Sequence, residues 1–278
     1  MIKVLRIRGC VFVLGYKIGF IGAGNMTSAI LNGALRRSVV RPENVYLSNP
    51  HVEKTESFRL RGVRVTASNV EVCRGSDIVI LAVKPQKFDE VLPELAPYAE
   101  GKCVVSIAAG ISSAYIKERL PGAYVVRAMP NTPLLVGKGM TALAEAPEVP
   151  SVYFESVTEL FSAAGDIVFI PEERINAVID VSGSSPAYFF RIASAMTAEG
   201  VKLGLEPDIA LKLAASAMDG AAAMLLKSGK TAEELTRQVC SPGGTTLAAL
   251  TAFDDGGLDA VLTEAMERCV KRAEELGK

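Results

Sequence analysis

KIGFIGAGNMT, residues 17–27, joins a short apolar strand, a turn with two glycines and the opening of a helix end to end. Gly22 permits the tight turn and Gly24 lets a pyrophosphate come close to the backbone. The helix that follows offers unpaired N–H groups and the positive end of its dipole. Thr27 takes the place of the usual third Gly or Ala and is expected to crowd helix against strand slightly. A GxG pair alone says little. Between a strand and a helix, at the head of an alternating domain, it predicts a dinucleotide site.

Downstream the alternation continues. VYLSN (45–49), VRVT (63–66), DIVILAV (77–83), KCVVSIA (102–108), YVVRAM (124–129) and MTALAEA (140–146) read as strands. Helical patterns separate them, as at 26–37, where Met26, Ile30 and Ala34 form a stripe with Leu31 and Leu35. DIVILAV is apolar on both faces after Asp77, as a central parallel strand is. The expected fold class is α/β: an N-terminal Rossmann-type dinucleotide-binding domain over residues 17–170, then a second, all-helical C-terminal domain over 171–278. Ala-rich patterns in the second domain predict helices at 186–203, 207–226, 231–239, 245–253 and 257–276. Small residues crowd 214–223, so helices can approach closely and apolar face remains for a second subunit to cover.

The 30 Lys plus Arg nearly balance 31 Asp plus Glu, with no basic block, which argues against a dedicated nucleic-acid binder. With 49% hydrophobic and 22% charged residues, the 278-residue chain has ample core. Gly, Pro or charge interrupts every apolar run before it could span a bilayer, so a soluble, cytoplasmic protein with no membrane contact is expected. Residues 1–16 form an N-terminal extension. Lys3, Arg6 and Arg8 precede a short apolar stretch as in a signal peptide, but no small-x-small cleavage site follows. Removing residues 1–15 is expected to leave folding and activity intact. Cys10, Cys73, Cys103, Cys240 and Cys269 are scattered without a CxxC pair, and His51 is the single histidine, so no metal site is expected.

The end of the second strand reads Ser48-Asn49-Pro50 where an acidic residue would grip the 2′-hydroxyl of NAD, and His51 and Lys54 follow. That favours NADPH, with NADH as an alternative. Ala82-Val83-Lys84-Pro85 and Ile107-Ala108-Ala109-Gly110 end two further strands at the carboxyl edge, where small residues let a flat ring lie on the backbone. Met129 to Pro133 is another rigid strand-end turn. In the helical domain, Ser241-Pro242-Gly243-Gly244-Thr245-Thr246 exposes backbone N–H groups beside two hydroxyls just before a helix, a nest for a carboxylate that needs no arginine.

Taken in order, IGFIGAGNM, LAVKPQ, SIAAGI, RAMPNTP, SGSSPAYFF and SPGGTTLAAL resemble pyrroline-5-carboxylate reductase, from about residue 17 to the C-terminus. Ser185 stands where the family usually has Gly, and Thr27 where it commonly has Ala. The resemblance implies NAD(P)H-dependent reduction of a cyclic imine to L-proline. It places the cofactor along Ile21, Gly22, Ala23, Gly24, Asn25, Met26, Asn49, Asn69, Ala82, Val83, Lys84, Pro85, Ile107, Ala108 and Ala109. It places the substrate carboxylate at Gly244, Thr245 and Thr246, with Thr246 Oγ near the ring nitrogen as the catalytic group. It sets Glu172 beside the substrate and Gln238 beside the cofactor. It also implies a homodimer, or a ring of dimers, through the helical domain, with residues of two chains at each site. Besides a non-catalytic NADP sensor, which would not need the SPGGTT carboxylate nest, and a reductase of a six-membered imine, to which Ser185 points, a β-hydroxy-acid dehydrogenase is an alternative, but it needs a base on the first long helix of the second domain. There the chain offers Arg191 but no Lys or His between residues 182 and 198.

Overall fold

The computed structural model describes residues 4–5 and 14–276. Strands β1 (Val4–Leu5), β2 (Ile18–Ile21), β3 (Val45–Ser48), β4 (Arg64–Thr66), β5 (Ile78–Leu81), β6 (Cys103–Ser106), β7 (Tyr124–Pro130), β8 (Gly139–Ala144) and β9 (Gly165–Ile170) form one sheet in the order β1-β9-β8-β7-β6-β5-β2-β3-β4. From β2 to β7 every pairing is parallel. In chain order these six strands run third, second, first, fourth, fifth, sixth, the doubly wound arrangement whose reversal lies between β2 and β5. Gly22 leaves β2 at that reversal.

The core explains why these runs are strands. Along β5, Ile78 and Ile80 enter one apolar layer with Phe20, Leu31, Leu47 and Phe161. Val79 and Leu81 enter the opposite layer with Ile21, Phe88, Leu92 and Ile116. A sheet covered on both faces needs continuous apolar strands, and β2, β3, β5 and β6 are buried at every position. Beyond β7 the sheet changes sense, because β8 runs antiparallel with Met129 opposite Ala142. β9 then lies parallel to β8, and β1 antiparallel to β9 with Val4 opposite Val168. Neither β9 nor β1 is among the strands expected from sequence.

The chain divides into two compact units at other places than the expected 170/171 boundary. The first comprises Met1–Ser184 with Cys269–Lys278, the second Ser185–Arg268. The physical reason is a small apolar cluster in which Ile175 and Ile179 pack with Met129, Ala142 and Ala144, and Ala273 of the last helix joins them.

Most of the extension, with Cys10 and the three basic residues at its start, lies outside the described residues. Its end does not. Leu14 is 2% exposed and its N–H donates to Val39 O at 2.8 Å, which corrects the expectation that residues 1–15 can be dropped without consequence for folding. Burying a leucine contributes about 1.5–3 kcal/mol. Deletion of residues 1–15 is therefore expected to lower unfolding stability by about that amount in urea titration, while a deletion ending at residue 13 retains the leucine and most of that stability.

The second unit holds the helices Ser185–Lys202, Pro207–Lys227, Ala232–Val239 and Thr245–Asp255, and the first part of Leu258–Leu276. Each falls within two residues of its expected bounds. Thr231 and Glu234 close a reciprocal capping box at the start of Ala232–Val239, and Gly200 lets Ser185–Lys202 lie close against Ala210. Large apolar side chains remain uncovered within this unit, among them Phe190 at 69%, Leu203 at 79% and Leu226 at 76%. Pro207–Lys227 contains a stretch of mean hydropathy 1.5 long and apolar enough, by length and composition only, to cross a membrane, with Lys212, Asp219 and Gly220 interrupting it as the sequence reading has it.

Candidate active site

The glycine turn after β2 has the form its sequence demands. Gly22 adopts φ +99°, and a Cβ there would meet Ala82 O at 2.8 Å. Gly24 is the N-cap of the Asn25–Arg36 helix and supplies no side-chain cap. The first intrahelical bond runs from Ser28 N–H to Gly24 O, so the N–H groups of Asn25, Met26 and Thr27 have no acceptor within the helix. A Cβ on Gly24 would meet no protein atom within 4 Å. The space beside the free N–H groups of Asn25 and Met26 is thus open, which suits a pyrophosphate. Thr27 does more than crowd the strand. It is fully buried, and its hydroxyl donates to Gly22 O at 2.6 Å, pinning the turn from beneath.

The neighbouring strand ends bring the other first-unit candidates to the same carboxyl edge. Ala82 N–H donates to Ile21 O, tying the end of β5 to β2, and Ile107 N–H donates to Leu81 O, tying β6 to β5. Ala108 N–H bonds Ser106 Oγ. Val83 is half-buried and Lys84 exposed, and Pro85 opens a short 3-10 turn. At the β3 end, Ser48 Oγ donates to Asn69 Oδ1 at 2.7 Å, and Asn69 Nδ2 donates to Glu94 Oε1 at 2.6 Å. Asn49 Oδ1 accepts the His51 N–H, while the His51 ring faces Glu53 at 3.4 Å.

Glu172 lies in the first unit, where its carboxylate is engaged by Ser113. Oε1 accepts the Ser113 N–H at 2.8 Å and Oε2 its hydroxyl at 2.5 Å. Arg127 Nη1 stands 3.7 Å from Oε1, and Arg127 Nη2 donates to Asn176. Burial pulls the Arg127 pKa below the ordinary arginine value, and the Glu172 charge opposes that. Asn131, after β7, donates to Ser182 and accepts from Met140 N–H, which braces the strand-end turn. Ser48, Glu94, Ser113 and Arg127 are not among the sequence candidates. Only Arg127, a charge inside the apolar run YVVRAM, carries a signal that could have marked it.

In the second unit, Gly243 has φ +68° and Gly244 N–H closes the turn onto Ser241 O. A Cβ on Gly244 would meet Ser241 Oγ at 2.3 Å and Ser241 O at 3.0 Å, so any larger residue there must turn the Ser241 side chain and press on its carbonyl. Gly244 is also the N-cap of Thr245–Asp255, without a capping side chain. Ala248 N–H is the first to bond back, to Gly244 O, leaving the N–H groups of Thr245, Thr246 and Leu247 without an intrahelical acceptor. Thr246 is half-buried, and Gln238 is exposed in the last turn of Ala232–Val239. Among the described residues no group of three or more His, Cys, Asp or Glu side chains could hold a metal.

Residues 172–276 match the family model for pyrroline-5-carboxylate reductase dimerisation, and residues 17–110 match a model described as NADP oxidoreductase, coenzyme F420-dependent. A pyrroline-5-carboxylate reductase of Corynebacterium melassecola is 39% identical over 94% of this chain and 98% of its own length. That of Escherichia coli K12 is 38% identical with the same coverage of both. Among solved structures, Plasmodium falciparum pyrroline carboxylate reductase with NADP bound superposes with a TM-score of 0.88 at 28% identity, covering 96% of this chain and 100% of that one. The Coxiella burnetii enzyme gives a TM-score of 0.85 at 32% identity, over 95% and 99%.

Proposed function

Because the chain belongs to the pyrroline-5-carboxylate reductase family, we propose that it reduces 1-pyrroline-5-carboxylate to L-proline with NADPH, with NADH as an alternative, as the last step of proline biosynthesis. The observation that carries this reading is the turn at 241–246. Its helix begins on a bare glycine packed closely against Ser241, and the three N–H groups beyond it are free for a small carboxylate.

The first unit fits the cofactor by the same logic, since the open space over Gly24 lies beside the free N–H groups of Asn25 and Met26. Ile21 to Met26 would hold the pyrophosphate, Asn49 and Asn69 the adenosine end, and Ala82 to Pro85 with Ile107 to Ala109 the nicotinamide end, with Gln238 also beside the cofactor. When bound, NADPH supplies the hydride that adds to the C=N carbon. The backbone at Gly244, Thr245 and Thr246 holds the substrate carboxylate. Thr246 Oγ bonds the ring nitrogen, orienting the iminium and stabilising the amine that forms. A cyclic imine can be protonated before it binds, so a strong protein acid is unnecessary, which accounts for a site built without histidine. What the residues would contribute is chiefly proximity, bringing hydride donor and imine acceptor together.

The helical domain mediates oligomerisation, and a homodimer or a ring of dimers accounts for the apolar face exposed at Phe190, Leu203 and Leu226. A cytoplasmic location accords with buried, unpaired Cys73 and Cys103.

The direct test is NADPH oxidation, followed by absorbance, with the five-membered imine, the six-membered imine and NADH run side by side. Rapid turnover of the five-membered ring is the expected result. Preference for the six-membered ring would move the reading to a related imine, for which Ser185 is the place to look. Cofactor binding without turnover of either ring would overturn it.

A further inference from the structure

The cluster at Glu172 joins segments far apart in sequence beside the loop that leaves β6. Ser113 is the first residue of the Ser113–Arg119 helix, whose N-cap is Ser112. A first-turn N–H has no acceptor inside its own helix, and here Glu172 takes it together with the Ser113 hydroxyl. Both carboxylate oxygens are thereby committed to one buried residue. Arg127, 5% exposed, stands against the same carboxylate and is braced in turn by Asn176.

Residues 107–112 run between β6 and this helix. The near end of the loop is fixed to Leu81 O and Ser106 Oγ. At its far end, the Ser112 side chain caps the helix and Glu172 clamps Ser113. Between them sits Gly110 at φ +80°, the point of widest backbone freedom. Such a loop keeps one form only while both ends hold.

We propose that Glu172 is a positioning residue for the reduction: through Ser113 it holds the 107–112 loop in the form against which the nicotinamide lies, with Arg127 holding Glu172. This rests on the reductase reading above, and it gives Glu172 a role other than contact with the substrate.

Two variants and two readouts test it. Glu172→Gln removes the charge that faces Arg127 and one acceptor, while Ser113→Ala removes only the hydroxyl. In the cofactor-free protein, amide hydrogen exchange at residues 107–113 is expected to quicken in both variants. In turnover, Glu172→Gln is expected to lower kcat about tenfold and Ser113→Ala about threefold, with the imine KM and the NADPH Kd each within about twofold of wild type. The double variant is expected to be no slower than Glu172→Gln, and Ser113→Thr to restore the rate. Unchanged exchange at 107–113 overturns the proposal, as does a raised imine KM in Glu172→Gln with wild-type kcat in Ser113→Ala. Should Glu172→Gln fail to fold, Ser113→Ala and Ser113→Thr decide by the same two readouts. Absence of imine reduction by the wild type would instead strike the reductase reading, while the exchange data still report on the clamp.

Discussion

A single methyl group on Gly22 is expected to abolish NADPH binding. The Gly22→Ala Cβ would lie 2.8 Å from Ala82 O and 3.0 Å from Ala82 C. Both are backbone atoms, so no side chain can swing aside to relieve the contact. The φ of +99° adds strain that an L side chain rarely tolerates. Together these should cost about 2 kcal/mol of stability and displace the end of β5 from the end of β2. Since Ala82 to Pro85 continue from that point, the loss should reach the whole cofactor edge, with NADPH binding weakened at least about a hundredfold in a fluorescence titration. Gly24→Ala separates fold from binding, because its Cβ would meet no protein atom. That variant should melt with the wild type yet bind NADPH more weakly. Wild-type affinity in Gly24→Ala would mean that no ligand approaches the turn.

Thr246→Ala is the second large effect. Removing one hydrogen bond made to developing charge costs on the order of 100-fold in turnover where that bond counts. Here kcat for the imine should fall about 10- to 100-fold, with NADPH affinity nearly unchanged, since the cofactor is held by the glycine turn after β2. Gly244→Ala should fail differently. Its Cβ would press on Ser241 O at 3.0 Å, opening the turn, so the imine KM should rise. Full activity in Thr246→Ala would remove that hydroxyl from the mechanism and leave the backbone nest to act alone.

The residues legible in the sequence are those whose role is local. DIVILAV declared a central strand because burial on both faces leaves no room for alternation, and β5 is buried throughout. The helices from Ser185 onward followed from apolar periodicity and Pro, Gly and Ser punctuation, which act over a few residues. GxG before a helix and PGG before a helix predicted open N–H groups, because helix geometry dictates which donors lack acceptors. What escaped was set by tertiary approach. Thr27 reads as a slightly oversized residue, and only the folded turn shows its hydroxyl reaching Gly22 O. Glu172 and Ser113 lie 59 residues apart, beyond any local pattern. GDIVFI resembles the earlier strands, but it follows the reversal at β8 and borders the helical domain, where the alternation had ceased to be a guide. The unit boundary shifted for a similar reason, since Ile175 and Ile179 fit a helix of either unit and only packing assigns them.

Ala273 sits in the first unit's apolar cluster although the whole second unit separates it in sequence from Ile175 and Ile179. On the ribosome this sets an order of events. When Ile179 emerges, its cluster lacks a member that is still to be synthesised, and the intervening helical segment must be made first. At roughly 5–20 residues per second that is a delay of about 5–20 seconds, during which the nucleotide-binding half carries an unfinished apolar surface. Completion of the first unit therefore waits on synthesis of the whole of the second, and a premature stop ahead of Cys269 removes part of the first unit as well.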